Sequence, residues 1–422
     1  MDQLPNLGRE QEMLDSMGLK SIDDLFSDIP EDVRRIDPLP LRGPQSEEEI
    51  WADAQHLLGA NIDLDSRPSF LSAGLARNFV PTMVPMLATR GEFLTSYTPY
   101  QPEVSQGTLQ SIYEFQSYIC LLTGMDVSNA SLYDGASALA EAVLLSSSHL
   151  RRNRVFVSKG LNPKYLQVLK TYCEGAEIEI SDKIDEETAC VIAQYPDFFG
   201  NIEDLQTLAD EAKKAGALFV TCITELTSLA ILKPPANFGS DIVVGEGQSL
   251  GIPMSYGGPY LGFIAVKQDL LKKLPGRIAG LTTDDRGNEG FVLTFRAREQ
   301  DIRRERATSN ITTNQALLAL SATIYLAAMG RDGLIDVAKA SYKQAHILHE
   351  KLKEVGFEPL NDKPFYNEFV VKTTKPPEEI LSSLLKKNIL GGINLGENKL
   401  LVCCTENNSA QDIEDYVSAV NG

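Results

Sequence analysis

Five arginines, Arg296, Arg298, Arg303, Arg304 and Arg306, stand within eleven residues of a chain whose net charge is −19. Arginine forks bind carboxylates and phosphates through paired N–H groups. The same side chains can instead pair with Glu299, Asp301 and Glu305 on a solvated helix, and the pattern alone leaves both readings open. A second group lies in Thr95–Gln106 (TSYTPYQPEVSQ), where Tyr97, Tyr100 and Glu103 share an irregular stretch ahead of a helix. Loops on a rigid scaffold carry function disproportionately; an interface loop is the compatible alternative. A third is Tyr133–Glu141 (YDGASALAE). Small residues at a helix start leave free N–H groups at the positive end of the dipole, a ready anion cradle; plain capping is the blander reading.

Other motifs point away from common chemistries. Gly245–Gly251 (GEGQSLG) follows a strand, but it lacks the GxGxxG spacing, and Ile252–Gly262 is a Gly/Pro turn rather than a helix. No dinucleotide site is expected there. His346 and His349 share a helix face without a third ligand, so no metal site is expected. The six cysteines form no CxxC and lie mostly in apolar runs, which reads as buried free thiols in a reducing compartment. No GxSxG, HExxH or P-loop occurs.

These residues must be positioned by an α/β scaffold. Short β runs (155–158, 178–180, 190–194, 218–223, 242–244, 261–266) alternate with helical patterns (107–123, 136–150, a helix through Tyr172, 203–215). That alternation predicts a mostly parallel sheet covered on both faces. Thr312–Gly330 and Val337–Val355 read as helices. Strand–helix–strand–helix over Phe369–Ala419 predicts a small C-terminal α/β domain. The boundaries expected are 1–70 for an N-terminal helical arm, 71–330 for the large domain and 331–422 for the small one. In the arm, Ser46 with Glu49 resembles a capping box, and Ser21–Phe26 and Ile29–Val33 look like helical starts.

The charge balance argues against nucleic acid, which needs a clustered basic surface. Residues Met1–Arg9 show neither a basic segment nor an apolar run, so no signal peptide is expected. The longest apolar runs fall short of a bilayer span, so no membrane contact and a cytoplasmic location are expected.

Several long segments resemble one family. They are Tyr97–Gly107 (YTPYQPEVSQG), Leu122–Asp126 (LTGMD), Asn129–Ala142 (NASLYDGASALAEA), Gln248–Phe263 (QSLGIPMSYGGPYLGF), Gly276–Arg277 and Arg298–Asn314 (REQDIRRERATSNITTN). Together they resemble the first subunit of glycine decarboxylase, the P-protein of the glycine cleavage system. The likeness runs from about Ile29 into the C-terminal region. Phe70–Pro81 (FLSAGLARNFVP) departs from it, since the family is usually richer there in Gly and Tyr and has a His.

The resemblance implies the fold-type-I pyridoxal-phosphate architecture with a seven-stranded sheet. It implies a split enzyme in which only the second subunit carries the cofactor lysine. Laid on this chain, that lysine falls at Gln248, and the pyridine-binding acid falls near Glu225. An amide cannot form the Schiff base that a primary amine forms. No catalytic residue is therefore expected on this chain alone, and pyridoxal phosphate is expected on the partner, in an α2β2 assembly. The substrate implied is glycine, whose aminomethyl group passes to the lipoyl arm of H-protein. Tyr97, Tyr100, Gln101, Glu103, Arg298, Arg303, Ser309 and Asn310 are expected to line the active site at the subunit interface. Tyr97 and Tyr100 would close over the cofactor and Glu103 would order the loop. Arg298 or Arg303 would meet a carboxylate or phosphate, and Ser309 and Asn310 would donate hydrogen bonds.

Two alternatives stand beside this one. An autonomous pyridoxal-phosphate lyase or transaminase would need Lys233 or Lys267 as its lysine, although neither occupies the expected place. A non-catalytic scaffold would keep the fold alone, with no need of the Tyr and Arg motifs.

Overall fold

The computed structural model describes residues 6–35, 37–64 and 66–421, so the first five residues read above for a leader lie outside it. Two compact units emerge, Met1–Ile62 and Asp63–Gly422. The first contains α1 (Glu10–Met17), a 3-10 turn at Ile22–Phe26 and α2 (Glu47–Leu58). The capping box forms as expected: Ser46 accepts from the Glu49 N–H, and the Glu49 carboxylate takes the Ser46 N–H at 2.8 Å. Ile29–Val33 is a bend and turn rather than a helix. Pro30 sits inside that stretch without an N–H to give to a helical ladder.

The second unit opens with α3 (Met83–Ala88), α4 (Gly91–Leu94) and α5 (Gln106–Thr123). α5 stops at Gly124, whose φ of 74° is left-handed. The main sheet comprises β1 (Val127–Ser128), β2 (Arg154–Val157), β3 (Glu179–Ser181), β4 (Thr188–Gln194), β5 (Leu218–Ile223), β6 (Ile242–Glu246) and β7 (Gly262–Val266). Its order is β1-β7-β6-β5-β4-β2-β3. The strands from β3 to β6 pair in parallel, while β7 runs antiparallel to both β6 and β1. This is the mostly parallel seven-stranded sheet that the sequence predicts.

Both faces are apolar, and the side chains alternate between them. Val191, Ala193, Phe219, Val243 and Phe263 face a core completed by α5, α8 (Leu205–Ala215) and the first half of α10 (Ala316–Glu354). Cys190, Ile192, Val220, Ile242 and Val244 face the opposite core under α6 (Gly135–Leu150) and α7 (Pro163–Gly175). Strands buried on both faces read as continuous apolar runs, which is why TACVIAQ and DIVVG look as they do. Five of the six cysteines are buried and Cys120 is half-buried; all are unpaired.

Between the sheet and α10 come a hairpin, β8 (Ile278–Thr283) with β9 (Glu289–Thr294), and the one-turn α9 (Gln300–Arg303). The arginine stretch is therefore not one solvated helix. It is broken into short turns, with Phe295 (φ 54°) and Arg304 (φ 52°) in the left-handed region. The two helices expected around residue 330 are two halves of α10, which turns at Gly330 (φ 61°, ψ −171°). Among the described residues α10 is the helix long and apolar enough to cross a bilayer. Its halves instead pack into separate cores. The C-terminal sheet has the order β10-β11-β13-β12, built from β10 (Glu358–Pro359), β11 (Glu368–Lys372), β12 (Ile393–Gly396) and β13 (Lys399–Cys403). It is wholly antiparallel, and α11 (Pro377–Lys386) and α12 (Ala410–Asn421) cover it.

One close approach sets the geometry used below. A Cβ on Gly262 would lie 2.2 Å from the Asp134 carbonyl oxygen, just before α6. Only glycine lets β7 pass so near the helix start. Gly262→Ala is expected to lower the unfolding free energy by about 1–3 kcal/mol or more, read as a loss of thermal midpoint. A wild-type midpoint would show that α6 can shift at no cost.

Candidate functional site

The tyrosine loop and the arginine stretch meet, through partly different residues from those expected. Tyr100 stacks against two guanidinium groups, with Arg296 Cζ 4.8 Å and Arg277 Cζ 5.9 Å from its ring centre. Such contacts are worth roughly 0.5–1 kcal/mol when exposed. Gln106, at the start of α5, ties this loop to the hairpin. Its amide donates to the Pro102 carbonyl at 2.7 Å and the Phe291 carbonyl at 2.8 Å, and it accepts the Phe291 N–H at 2.8 Å. Tyr97 is 89% exposed, and Gln101 and Glu103 are also exposed.

Arg298 does not point its fork at an open site. It donates to the carbonyls of Leu274 and Gly276, and burial pushes its pKa down to about 10. It therefore pins the arginine stretch to the segment leading into β8. Arg303 is exposed, with one N–H on the Ala297 carbonyl at 3.3 Å. Arg296 pairs with Asp301 at 3.1 Å, one of the ion pairs foreseen as the alternative. Ser309 is half-buried, accepts the Ile311 N–H at 3.1 Å and hydrogen-bonds the carboxyl of Glu141; Asn310 is exposed. Arg277 holds the far end of the stretch through the Thr312 carbonyl at 3.2 Å and Asn314 at 3.4 Å. Neither Arg277 nor Arg296 is marked in the sequence as a partner of Tyr100. Their signal was charge beside an aromatic loop, and the 177 to 196 residues that separate them from Tyr100 hid the pairing.

Four buried polar atoms in this cluster have no hydrogen-bond partner: Arg296 Nε, Arg298 Nε, Glu299 Oε1 and Asn314 Nδ2. Buried polar groups are normally satisfied, so a cluster of orphans marks a surface awaiting something. Two apolar side chains stand near them in sequence, Phe295 and Ile302, and both are exposed.

Gln248 is elsewhere, at the end of the main sheet. It is buried, and its amide donates to the Ile252 carbonyl at 2.8 Å, closing its own turn. Nearby, the Glu225 carboxyl accepts from the Thr227 N–H at 3.0 Å and the Thr227 hydroxyl at 2.7 Å; burial raises the Glu225 pKa. Glu246, the last residue of β6, is 2% exposed. Its carboxylate takes the Gly135 N–H at 3.0 Å and the Leu261 N–H at 2.7 Å. Asp134 caps the same helix by accepting the Ser137 N–H at 2.8 Å. Of the two readings open for the start of α6, capping is the one observed: the chain's own carboxylates take its first N–H groups.

A family model described as glycine cleavage system P-protein matches residues 5–420. This chain belongs to the P-protein family. It is 48% identical to the probable glycine dehydrogenase (decarboxylating) subunit 1 of Desulforamulus reducens, with 97% of each chain covered. It is 46% identical to the protein of the same name from Carboxydothermus hydrogenoformans, covering 98% of this chain and 97% of that one. The structure overlays on the crystal structure of glycine decarboxylase (P-protein) in inhibitor-bound form with a TM-score of 0.91, 42% identity and coverage of 100% and 99%. Glutamate decarboxylase from Lactobacillus brevis shares the fold alone, with a TM-score of 0.67 at 12% identity.

Pyridoxal phosphate is the cofactor associated with the fold of this P-protein chain, and the residues here do not fit it. Where the resemblance places the cofactor's lysine, position 248, the chain carries an amide, and Glu246 occupies the first N–H of α6 and the Leu261 N–H. The rival lysines are committed elsewhere: Lys267 pairs with Asp241 at 2.6 Å, and Lys233 lies 5.0 Å over the Phe238 ring.

Glu141 yields a pH prediction. Burial pushes its carboxyl from the ordinary 4.5 up to about 7, opposed by the Ser309 hydrogen bond. A folded pKa above the unfolded one means that its stability contribution is whole below about pH 4.5 and lost as pH rises to about 7. Glu141→Gln is expected to match wild type near pH 5 and to exceed it by roughly 1–3 kcal/mol at pH 8. Denaturation at the two pH values checks this. An equal difference at both would contradict it.

Proposed function

We propose that this chain is the cofactor-free half of a glycine decarboxylase, which forms the active site with a second subunit that carries pyridoxal phosphate. The observation that carries the reading is the unfinished face around Tyr100. Two arginines brace an aromatic loop, four buried polar atoms lack partners, and Phe295 and Ile302 stand exposed in the same stretch. Within a family whose relatives are named as subunit 1, a second subunit is the natural occupant of that face.

Each residue then has work that needs no cofactor on this chain. Arg296 and Arg277 hold the Tyr100 ring at a fixed angle and supply positive charge beside it. Arg298 keeps the stretch anchored, so that Arg303, which is free to reorient, presents its fork to a carboxylate. Tyr97 offers a ring and a hydroxyl to whatever closes over it, and Gln101, Glu103 and Asn310 offer polar contacts at the rim. Ser309 is held by Glu141 and so fixes the position of its neighbour Asn310. When bound, pyridoxal phosphate supplies the electron sink for decarboxylation; we assign it to the partner. Glycine is the substrate in this reading, lipoylated H-protein takes the aminomethyl group, and the assembly is α2β2. A cytoplasmic setting suits the six unpaired thiols.

Reconstitution with the second subunit tests this. Borohydride reduction in the presence of pyridoxal phosphate should give a lysine adduct on partner peptides and none on this chain. Tyr97→Phe and Arg303→Ala should each lower turnover about tenfold or more with the complex still assembled, since small losses of positioning cost heavily. An adduct on this chain, or full activity in both variants, would refute the assignment.

A further inference from the structure

Glu246 takes no part in the exposed face, yet it is among the most constrained charged side chains of the main sheet. Alternation along β6 sends Ile242 and Val244 into the core beneath α6, and Glu246 follows on the same side. Its carboxylate meets the first N–H of α6 at 3.0 Å and the Leu261 N–H at 2.7 Å. The walls are tight: a Cβ on Gly135 would lie 2.3 Å from the Tyr165 hydroxyl and 3.0 Å from the Gly245 carbonyl carbon. Backbone N–H groups at a helix start and at a strand end are what a phosphate group seeks. Here both are taken by an internal anion, two residues before Gln248 on the same strand end.

We propose that Glu246 is an internal stand-in for phosphate, and that it excludes phosphate-bearing ligands from this chain independently of the missing lysine at position 248. The proposal rests on the reading that the cofactor belongs to the partner, and it adds a second lock to the one that Gln248 provides. A phosphate entering from solution must displace a carboxylate that is already covalently in place and loses no translational freedom by staying. The displaced carboxylate would remain buried without donors. The incoming dianion would also face Asp134, which caps the same turn.

Five forms of the full chain test this at pH 8: wild type, Glu246→Ala, Glu246→Ser, Gln248→Lys and the Glu246→Ala/Gln248→Lys pair. The probes are inorganic phosphate, with chloride at matched ionic strength as control, and pyridoxal phosphate followed by borohydride trapping. Wild type should show no phosphate-specific change in thermal midpoint. Glu246→Ala should melt lower without phosphate and recover by a few degrees, saturably, as phosphate is added. Glu246→Ser keeps a hydroxyl for the Gly135 N–H and should show the same phosphate response if the alanine variant fails to fold by circular dichroism. Gln248→Lys alone should trap no pyridoxal phosphate at position 248, whereas the double variant should. Two results would overturn the proposal: a folded Glu246 variant with no phosphate-specific shift, or trapping by Gln248→Lys alone equal to that of the double variant. A lysine adduct on the wild-type chain is a separate outcome, which would overturn the assignment of the cofactor to the partner.

Discussion

The meeting of the end of β6 with the start of α6 is the constraint on which much else depends. Gly262 lets β7 pass under Asp134, and Glu246 then joins strand and helix through two N–H groups. A lone buried carboxylate is costly; burial pushes Glu246 up to about 7 even with both donors in place. The cost is tolerated because the alternative is two orphaned backbone N–H groups in the core. Fixing the start of α6 also fixes the residues just before it. Ser131 accepts the Gln315 N–H at 3.1 Å, and the Tyr133 hydroxyl faces the Thr312 N–H at 3.4 Å. Nearly two turns into α6, Glu141 holds Ser309. A buried contact at the sheet end thus determines where the arginine-rich segment begins its return to α10.

That segment is built to be finished by something else. Phe295 and Arg304 hold left-handed backbone conformations that side chains rarely adopt, a strain that persists where surrounding contacts impose it. The imposing contacts are few: the Arg298 fork on two carbonyls, the Arg277 tie to Thr312 and Asn314, and the guanidinium stacking on Tyr100. Those same contacts leave Nε atoms and an amide without partners. A positive cluster in a chain of net charge −19 also gives an approaching acidic or anionic group a local target within a repulsive surface.

How much of this was legible in the sequence follows from the range of each interaction. The parallel sheet was readable because strands buried on both faces spell continuous apolar runs. The reversal of β7 against β6 was not, since pairing direction leaves no local pattern. The β8–β9 hairpin escaped notice because its strands are only half-buried, although the intervening TDDRGNE is a turn signal. The tyrosine loop and the arginine stretch both stand out in the sequence, but which of their residues meet does not. Arg298 looks from sequence like a ligand-binding fork. It is spent on carbonyls instead, because the segment leading into β8 brings unpaired carbonyl oxygens to it. Tyr100 finds Arg277 and Arg296 only through tertiary contact. Gln248 stands out in the sequence by its functional group alone, and the structure adds that its amide closes its own turn.

The stretch at which this chain departs from its family's pattern, Phe70–Pro81, shows the same chemistry from the other side. Its backbone is held by acids: the Ala73 N–H donates to Glu368 at 2.9 Å and the Phe79 N–H to Glu406 at 2.6 Å, with the Asn78 amide on Glu406 at 3.1 Å. Glu368 and Glu406 both act on Glu225 electrostatically, and burial raises all three. A cleft that binds a phosphorylated cofactor needs positive charge or free donors at its floor. Here the donors are consumed by glutamates that repel one another and would repel a dianion. These carboxylates tie Phe70–Pro81 to β11 and to the turn that follows β13. On the reading proposed above, the interior of this chain serves structure, and its chemistry lies on the face that a second subunit can reach.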